Sequence, residues 1–522
     1  MRLADYLDKG FSIGPSAPCL TVGDEVRSYA EVREMSFRVS AALTARGIGP
    51  GDRVAVLSAN DPTAFTCVFG ISRAGAVWCP INPRNEAAEN RELLDLIGCT
   101  ALIFQGSFAP LVERIRGELP GLTTLVCLDA AVGGALSWPE FLALGDGAVE
   151  SAGAVESARA FDSARADDLA MIVGTGGTTG RPKGVELTGR NLETMTAITL
   201  MSYPFAGRPV YLALAPLTHA AGVLTFPILA LGGEIVIMPA PDVGGFLSSI
   251  ERHRVTHAFL PPTLIYMVLA HEGLDGTDLG SLQCFWYGAA PMSSARLQEA
   301  LERIGPVMAQ LFGQTEAPMM IATMAPADHF HADGSVATQR LSSAGRPSPL
   351  VTLAIMGADG ALLPPGETGE IVVRGSLVMR GYHRDPAASA EAGRYGWHHT
   401  GDVGYLDDEG FLFIVDRAKD MVITGGFNVY STEVEQAVMQ HPSVQDCAVI
   451  GLPDDKWGER VTAVIQTRPG VTVDPAELQA FVKARLGSVK TPKQVDIWPD
   501  LPRSKLGKVL KQEIKKALSD SP

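Results

Sequence analysis

Residues 170–184 read Ala-Met-Ile-Val-Gly-Thr-Gly-Gly-Thr-Thr-Gly-Arg-Pro-Lys-Gly, and this stretch decides which fold the chain can adopt. Its first four residues are apolar and predict a buried strand. The glycines that follow permit positive φ and let backbone N–H groups converge on an anion, while Thr hydroxyls and a Lys ammonium add further donors. We therefore predict a strand followed by a phosphate-binding loop, whose ligand residues are Thr175, Gly176, Gly177, Thr178, Thr179, Gly180 and Lys183.

This loop differs from a Walker A loop. In a Walker A loop a Gly is followed directly by Lys and then by Ser or Thr. Here Pro182 precedes Lys183, and Gly184 follows it. A flexible turn that binds no ligand is the alternative interpretation of the same residues.

Short apolar runs like 170–173 recur along the first half of the chain, at 54–57, 101–104, 124–128, 235–238 and 257–260. Helical stretches separate them, and this alternation is typical of doubly wound α/β sheets. Between residues 351 and 415 the runs are shorter and are divided by Gly and Pro turns, which predicts a β-rich subdomain. The fold class is therefore α/β, with a large domain over residues 1–416.

The last hundred residues predict a separate, small α+β domain over residues 417–522. Thr432 and Glu435 have the spacing of a capping box, and Asp474 precedes Pro475 as an N-cap precedes a first helical Pro. Residues 446–450 and 462–467 read as strands. We expect this domain to fold around its own core.

Size and charge exclude several classes of function. The chain has 522 residues, which is more than one hydrophobic core normally serves, so two or more domains are expected. Its 43 basic and 58 acidic residues give a formal charge of −15. Because such a balance repels polyanions, nucleic acid is not expected as a partner.

The cysteines and the apolar stretches point to the cytoplasm. The seven cysteines are scattered without a Cys-x-x-Cys pair, which favours reduced thiols over a zinc site or disulfides. Asp5 and Asp8 interrupt the N-terminus before an apolar run of signal-peptide length. Residues 209–233 carry no formal charge, but Pro and Gly divide them, so we predict a strand, a loop and a buried helix and no integral membrane association.

The loop at 174–184 resembles the phosphate loop of the adenylate-forming superfamily, which includes acyl-CoA synthetases, aryl-CoA ligases, firefly luciferase and peptide-synthetase adenylation domains. Four further stretches are similar to motifs of that superfamily and occur in the same order. They are Gln310-Leu311-Phe312-Gly313-Gln314-Thr315-Glu316, Thr400-Gly401-Asp402, Asp416-Arg417-Ala418-Lys419-Asp420 and Pro502-Arg503-Ser504-Lys505-Leu506-Gly507-Lys508. The nearest resemblance is to bacterial fatty-acyl-CoA synthetases. It implies that the large domain holds the ATP and acid sites and that a mobile C-terminal domain carries the catalytic lysine.

The resemblance implies a role for each residue of the ATP site. Glu316 would ligate Mg²⁺ and Thr315 would hold the neighbouring phosphate, both as catalytic residues. Asp402 would accept both ribose hydroxyls, and Arg417 would offer its planar fork to ribose or phosphate oxygens. Adenine would lie against the turn Gly288, Ala289 and Ala290 and against the motif Gln310, Leu311, Phe312 and Gly313. Phe312 stands where the superfamily usually has Tyr, which keeps the ring and loses a hydroxyl.

The C-terminal motifs imply two half-reactions. Lys508 would bridge carboxylate and phosphate oxygens while negative charge builds on both reactants. Lys419 stands at the hinge position about which the small domain would rotate. Gly425 and Gly426 would line the pantetheine tunnel, although a Gly-Gly hairpin turn is the structural alternative.

The sequence predicts the acid-binding site in less detail than the ATP site. His219 would flank the acyl carbonyl, and the residues around it are small or apolar. Peptide-synthetase domains hold the substrate amino group with an Asp in this segment, and none occurs between Tyr211 and Gly233. Two departures from the superfamily pattern are Gly176, where Ser is usual, and Gly189, where His is common.

Together these features predict an ATP-dependent carboxylic acid–CoA ligase. It would form acyl-AMP and pyrophosphate, then acyl-CoA and AMP, from a fatty or other apolar monocarboxylic acid with ATP, Mg²⁺ and coenzyme A. One alternative is an acyl-AMP ligase that loads a carrier protein, and another is a catalytically silent nucleotide-binding scaffold. The sequence leaves open which acid is used and whether copies of the chain form a homo-oligomer.

Overall fold

The computed structural model describes residues 1–146, 165–175, 182–217, 220–417, 420–468, 470–503 and 509–519. Its strands, in chain order, are β1 Pro18–Val22, β2 Glu25–Ser28, β3 Arg53–Leu57, β4 Val77–Ile81, β5 Ala101–Phe104, β6 Thr124–Cys127, β7 Leu136–Ser137, β8 Leu169–Thr175, β9 Lys183–Thr188, β10 Val210–Ala213, β11 Glu234–Ile237, β12 His257–Leu260, β13 Cys284–Gly288, β14 Met308–Gln314, β15 Ala317–Met324, β16 Arg346–Pro347, β17 Thr352–Met356, β18 Gly369–Arg374, β19 Gly381–Tyr382, β20 His398–Leu406, β21 Leu412–Arg417, β22 Val422–Thr424, β23 Phe427–Val429, β24 Val444–Asp454, β25 Gly458–Thr467 and β26 Gln494–Ile497.

The α-helices, in chain order, are α1 Leu3–Ile13, α2 Tyr29–Ala45, α3 Pro62–Arg73, α4 Ala87–Ile97, α5 Ala109–Arg116, α6 Trp138–Ala143, α7 Gly189–Ser202, α8 Ala220–Val223, α9 Thr225–Ala230, α10 Val243–His253, α11 Pro262–Ala270, α12 Ser294–Arg303, α13 Pro386–Ala392, α14 Ser431–Met439, α15 Pro475–Lys490 and α16 Lys511–Ser519. Local sequence sets several of their starts. The Asp61 carboxylate accepts the Ala64 N–H before α3, and Asp474 accepts the Ala476 N–H before α15.

Two large sheets form the N-terminal part. One has nine strands in the order β16-β15-β14-β13-β12-β10-β11-β1-β2, and the other has eight in the order β19-β9-β8-β4-β3-β5-β6-β7. The central strands of both are parallel, as expected for apolar runs separated by helices. Antiparallel strands form both edges of the nine-stranded sheet and the β19-β9 edge of the eight-stranded sheet, whose other edge strand, β7, is parallel to β6. The structure therefore confirms the doubly wound α/β arrangement and each apolar run predicted as a strand.

The largest core lies between these two sheets. It contains side chains from both, among them Trp78 of β4 and Trp286 of β13, together with residues of α1, α2, α3 and α7. A second core covers the opposite face of the nine-stranded sheet, and a third core covers the opposite face of the eight-stranded sheet. Helices thus lie on both faces of each sheet, which leaves the ends of the strands free for loops.

The β-rich subdomain and the small C-terminal part follow in sequence. Strands β17, β18, β20 and β21 form the antiparallel sheet predicted between residues 351 and 415. Strands β22 to β26 form a separate sheet with its own core. The predicted domain boundary at residue 417 coincides with the end of β21, and the boundary itself stays a prediction.

The capping box predicted at Thr432 is wrong. Helix α14 begins at Ser431, and Tyr430 at its N-cap position makes no side-chain capping bond. The Glu435 carboxylate instead accepts the Val449 N–H at 2.8 Å and pairs with Lys511 at 2.7 Å. Glu435, which the local spacing assigned to the cap, therefore makes tertiary contacts instead.

The predictions about the membrane and the cysteines can be compared with the same structure. The described residues 209–217 and 220–233 contain strand β10 and the helices α8 and α9, where one strand and one buried helix were predicted. Across the described ranges, no helix combines the length and the apolar character needed to cross a bilayer. All seven cysteines are buried and free of disulfides.

Candidate active site

The predicted phosphate loop joins the two strands of a β-hairpin. Strand β8 pairs antiparallel with β9, and Thr175 lies opposite Lys183 at the end of this pair to which the loop is joined. A Walker A loop leads from a strand into a helix, so the topology agrees with the sequence distinction between the two loops. Residues 176–181, and with them the predicted ligands Gly176, Gly177, Thr178, Thr179 and Gly180, lie outside the described residues.

Lys183 and Glu316 meet at Tyr382. Strand β19 pairs with β9 and brings Tyr382 opposite Val185. The Lys183 Nζ atom lies 4.6 Å from the centroid of the Tyr382 ring, and the Tyr382 hydroxyl donates a hydrogen bond to Glu316 Oε1 at 2.8 Å. Burial and the nearby Glu316 charge raise the pKa of Tyr382, so the phenol keeps its proton and stays a donor.

Glu316 is held by backbone as well as by its side chain. Thr315 and Glu316 form the two-residue turn between β14 and β15, where Gln314 lies opposite Ala317. The Met379 N–H donates to the Glu316 carbonyl oxygen at 2.6 Å. The segment around β19 therefore fixes both ends of Glu316 beside the base of the predicted phosphate loop.

The predicted adenine turn follows β13. A Cβ atom on Gly288 would lie 2.4 Å from the Leu311 carbonyl oxygen, so the close pairing of β13 with β14 by itself requires glycine there. Ala289 has φ of 65°, a left-handed conformation that costs an L-residue about 1 kcal/mol or more. Such strain is concentrated at functional sites, and Ala289 is exposed while Ala290 is half-buried.

The Gln310–Gly313 motif lies on β14, and its side chains differ in burial. Leu311 is buried in the central core, whereas Phe312 is half-buried and packs against two cores. A Cβ on Gly313 would meet the backbone of Met319 at about 2.5 Å, and Met319 has φ of 62°. This second strained residue faces the motif across the β14–β15 hairpin.

A buried polar network orients Gln310. Its Oε1 accepts a hydrogen bond from the Tyr287 hydroxyl at 3.2 Å, and its carbonyl oxygen accepts one from Tyr203 at 2.5 Å. The Tyr287 oxygen also lies 3.0 Å from His329 Nε2. Burial lowers the pKa of His329 to about 4, so the imidazole is neutral in this network.

Asp402 and Arg417 lie on neighbouring strands. They are paired in the register of β20 and β21, and Arg417 Nε lies 3.2 Å from Asp402 Oδ1. The Asp402 side chain is 10% exposed and that of Arg417 is 44% exposed. The pair therefore orients a largely buried carboxylate with a guanidinium that still reaches solvent.

Gln314, at the end of β14, contacts a histidine beside the Asp402 motif. Its Nε2 atom lies 3.1 Å from His398 Nε2, and burial lowers the pKa of His398 to about 4. Because the ring is then neutral, the amide N–H donates to it. This bond links the strand that carries the Phe312 motif to the strand that carries Asp402.

Gly425 and Gly426 form a tight hairpin turn between β22 and β23. Their φ values are 57° and 80°, both in the left-handed region that favours glycine. The Gly425 N–H donates to the Trp457 carbonyl oxygen at 2.7 Å, and a Cβ on Gly425 would lie 3.1 Å from the indole. The turn geometry alone explains both glycines, and a role for them towards pantetheine stays a prediction. His219, Lys419 and Lys508 lie outside the described residues.

Family comparisons cover both parts of the chain. Residues 12–383 match the model of the AMP-binding enzyme family, and residues 433–508 match the AMP-binding enzyme C-terminal domain. The chain belongs to the AMP-binding enzyme family. This membership confirms the resemblance to adenylate-forming enzymes.

Curated relatives of this AMP-binding enzyme include a medium/long-chain-fatty-acid–CoA ligase, FadD8, from Mycobacterium tuberculosis, with 35% identity over 95% of this chain and 87% of that protein. A feruloyl-CoA synthase from an Amycolatopsis species is also 35% identical, over 97% of this chain and 96% of that protein. The crystal structure of ATP-bound MatB from Rhodopseudomonas palustris has a TM-score of 0.87 at 28% identity, covering 100% of this chain and 99% of that one. The prediction of an AMP-forming acid–CoA ligase is confirmed at the level of enzyme class.

Two residues of the AMP-binding enzyme's site were missed by sequence reasoning. Tyr382 and His398 contact Glu316 and Gln314 from 66 and 84 residues away. The sequence around a single Tyr or His does not indicate which distant residue its side chain contacts. Only the pairing of β19 with β9 and the position of β20 reveal them.

Proposed function

We propose that this AMP-binding enzyme activates a fatty or other apolar monocarboxylic acid with ATP and transfers the acyl group to coenzyme A. The first half-reaction forms acyl-AMP and releases pyrophosphate. In the second, the CoA thiol attacks the acyl carbonyl and displaces AMP. The observation that carries the proposal is the contact of Lys183, Tyr382 and Glu316 beside a glycine- and threonine-rich hairpin.

Glu316 suits a magnesium-bound triphosphate. One of its oxygens accepts the Tyr382 hydrogen bond, and a carboxylate has lone pairs left for a hard cation. No cluster of three or more His, Cys, Asp or Glu that could hold a metal occurs among the described residues, so phosphate oxygens would supply further ligands. When bound, Mg²⁺ would neutralise charge on the leaving pyrophosphate. The Tyr382 hydrogen bond would then hold one oxygen of the Glu316 carboxylate in place.

The protein's own groups would supply the remaining charge stabilisation. Attack of the carboxylate on the α-phosphate builds negative charge between two anions, and we assign Lys508 to bridge them in the transition state. Asp402, oriented by Arg417, would accept the ribose hydroxyls. After acyl-AMP forms, rotation about Lys419 would withdraw Lys508 and bring Gly425 and Gly426 to the pantetheine arm.

The burial of the segment around the predicted acid site supports an apolar substrate. Residues 210–217 and 220–233 contain no acidic residue, and α8 and α9 within them are packed into the core. A Cβ on Gly222 would lie 1.8 Å from the Leu217 carbonyl oxygen, so α8 approaches the preceding loop closely. A substrate ammonium in this apolar wall would lack a counter-charge.

A pyrophosphate-release screen tests the proposal. Purified enzyme, ATP and Mg²⁺ are assayed against straight-chain, branched, aromatic and amino acids, each with CoA, with a phosphopantetheinylated carrier protein, and with neither acceptor, and thioester is quantified separately. We expect pyrophosphate release with apolar monocarboxylic acids and thioester only when CoA is present. Transfer solely to a carrier-protein phosphopantetheine would establish the loader alternative, and no release with any acid would refute the proposal.

A further inference from the structure

An amide from the C-terminal part clamps the loop that follows the predicted adenine turn. Gln436, on α14, donates from Nε2 to the Met292 carbonyl oxygen at 3.1 Å, and its Oε1 accepts the Ser294 N–H at 3.4 Å. Ser294 opens α12, and the Ser293 side chain makes no capping bond to that helix. Gln436 thus satisfies a free N–H of α12 that local sequence leaves open.

Further contacts surround this clamp. The Tyr266 hydroxyl accepts the Ser293 N–H at 2.9 Å. Burial raises the pKa of Tyr266, and the nearby Asp446 carboxylate of the C-terminal part raises it further. Arg468 of the C-terminal part lies near Arg296 and Glu299 of α12, and burial together with the like charge of Arg296 lowers the pKa of Arg468. The clamp is therefore part of an interface and not an isolated surface bond.

Asp446 links this interface to the ends of the lysine motif. Arg503 pairs with Asp446 at 2.6 Å, and Arg503 and Val509 form an antiparallel bridge. Those two residues flank the stretch in which the proposed catalytic lysine stands. The part of the chain that Gln436 attaches to α12 therefore also holds both residues that flank the lysine motif.

We propose that Gln436 is a positioning residue for the adenylation half-reaction, coupling the orientation of the C-terminal domain to the order of the loop at Met292–Ser294. The inference rests on the proposed function. Because binding linkage is reciprocal, a clamp that orders this loop favours ATP binding, and bound ATP favours the clamped orientation by the same factor. The second half-reaction, which uses the other orientation, does not need the clamp.

Gln436→Ala tests this role. Two intramolecular hydrogen bonds are lost, each of modest net strength, so we expect acyl-AMP formation at subsaturating ATP to fall about fivefold in single-turnover assays. This decrease should come mainly from a higher KM for ATP. Thioester formation from supplied acyl-AMP and CoA should stay within twofold of the wild type. Gln436→Glu keeps an acceptor for the Ser294 N–H but sets a carboxylate oxygen against the Met292 carbonyl oxygen, so acyl-AMP formation should fall at least as far as in Gln436→Ala.

Gln440→Ala is the matched control. Gln440 follows the same helix, but its amide oxygen accepts a hydrogen bond from Arg485 Nε at 3.1 Å within the C-terminal part. We expect this variant to leave the ratio of the two half-reactions unchanged. Equal slowing of both half-reactions in Gln436→Ala, or no change in either, would overturn the positioning role.

Hydrogen exchange gives a readout that does not depend on turnover. The Ser294 amide should exchange several-fold faster in Gln436→Ala than in the wild type, and Gln440→Ala should leave it unchanged. Unaltered exchange at Ser294 would overturn the clamp itself. Absence of pyrophosphate release by the wild type would instead refute the proposed function and leave this measurement valid.

Discussion

Replacement of Tyr382 by Phe removes one hydrogen bond from the proposed ATP site and leaves the ring in place. The lost bond runs from the Tyr382 hydroxyl to Glu316 Oε1 at 2.8 Å. The contact of Lys183 with the ring face, at 4.6 Å from its centroid, survives because Phe presents the same face. The variant therefore isolates the orientation of Glu316.

The expected fall in kcat/KM follows from the strength of the hydrogen bond that is lost. A hydrogen bond to a charged group contributes about 1.5–3 kcal/mol, and the lower end applies because Tyr382 is only half-buried. About 1.4 kcal/mol corresponds to a factor of ten, so kcat/KM for Mg-ATP in adenylation should fall about tenfold. Tyr382→Leu also removes the cation–π contact, worth about 0.5–1 kcal/mol, and should fall a further two- to fivefold.

The assay is pyrophosphate release at varied ATP and Mg²⁺, beside thioester formation from supplied acyl-AMP. Thioester formation should stay near the wild-type rate, because Glu316 is assigned to the triphosphate alone. Tyr395→Phe is the control, since Tyr395 is 61% exposed and lies before β20. A Tyr382→Phe enzyme within twofold of the wild type, or one equally slow in both half-reactions, would refute the reasoning.

Three other changes test the remaining assignments. Lys508→Ala should reduce adenylation at least a hundredfold and spare thioester formation from acyl-AMP, and equal loss of both in the two assays would remove the assigned role. Gly288→Ala places a methyl group 2.4 Å from a backbone oxygen and should lower the free energy of unfolding by about 2 kcal/mol, measured by urea denaturation. Lys511→Met leaves the Glu435 carboxylate unpaired; their side chains are 20% and 17% exposed, so we expect a loss of about 2 kcal/mol. Burial raises the pKa of Glu435, and the protonated acid carries no unpaired charge, so this deficit should shrink as the pH falls towards that pKa; a deficit that grows on acidification would contradict the assignment.

Local sequence determined the strands. The apolar run at 101–104 could only be a buried strand, and β5 is Ala101–Phe104. The glycine-rich stretch after 170–173 predicts a loop, because so many glycines destabilise helix and strand alike, and this stays a prediction since residues 176–181 lie outside the described residues. Ordered motifs then identified the family without any knowledge of contacts. These inferences succeed because periodicity and backbone preference act within a few residues.

Tertiary structure decided which chemical groups meet. Tyr382 reaches Glu316 only because β19 pairs with β9 and Met379 holds the Glu316 backbone. Gln436 reaches Met292 across 144 residues, and no local pattern distinguishes it from Gln440. Glu435 has the spacing of a capping acid, yet its carboxylate bonds Val449 and Lys511. Burial and the packing of distant elements determine which side chains become partners. The free energies of these buried hydrogen bonds and ion pairs exceed the local capping preference that sequence spacing indicates.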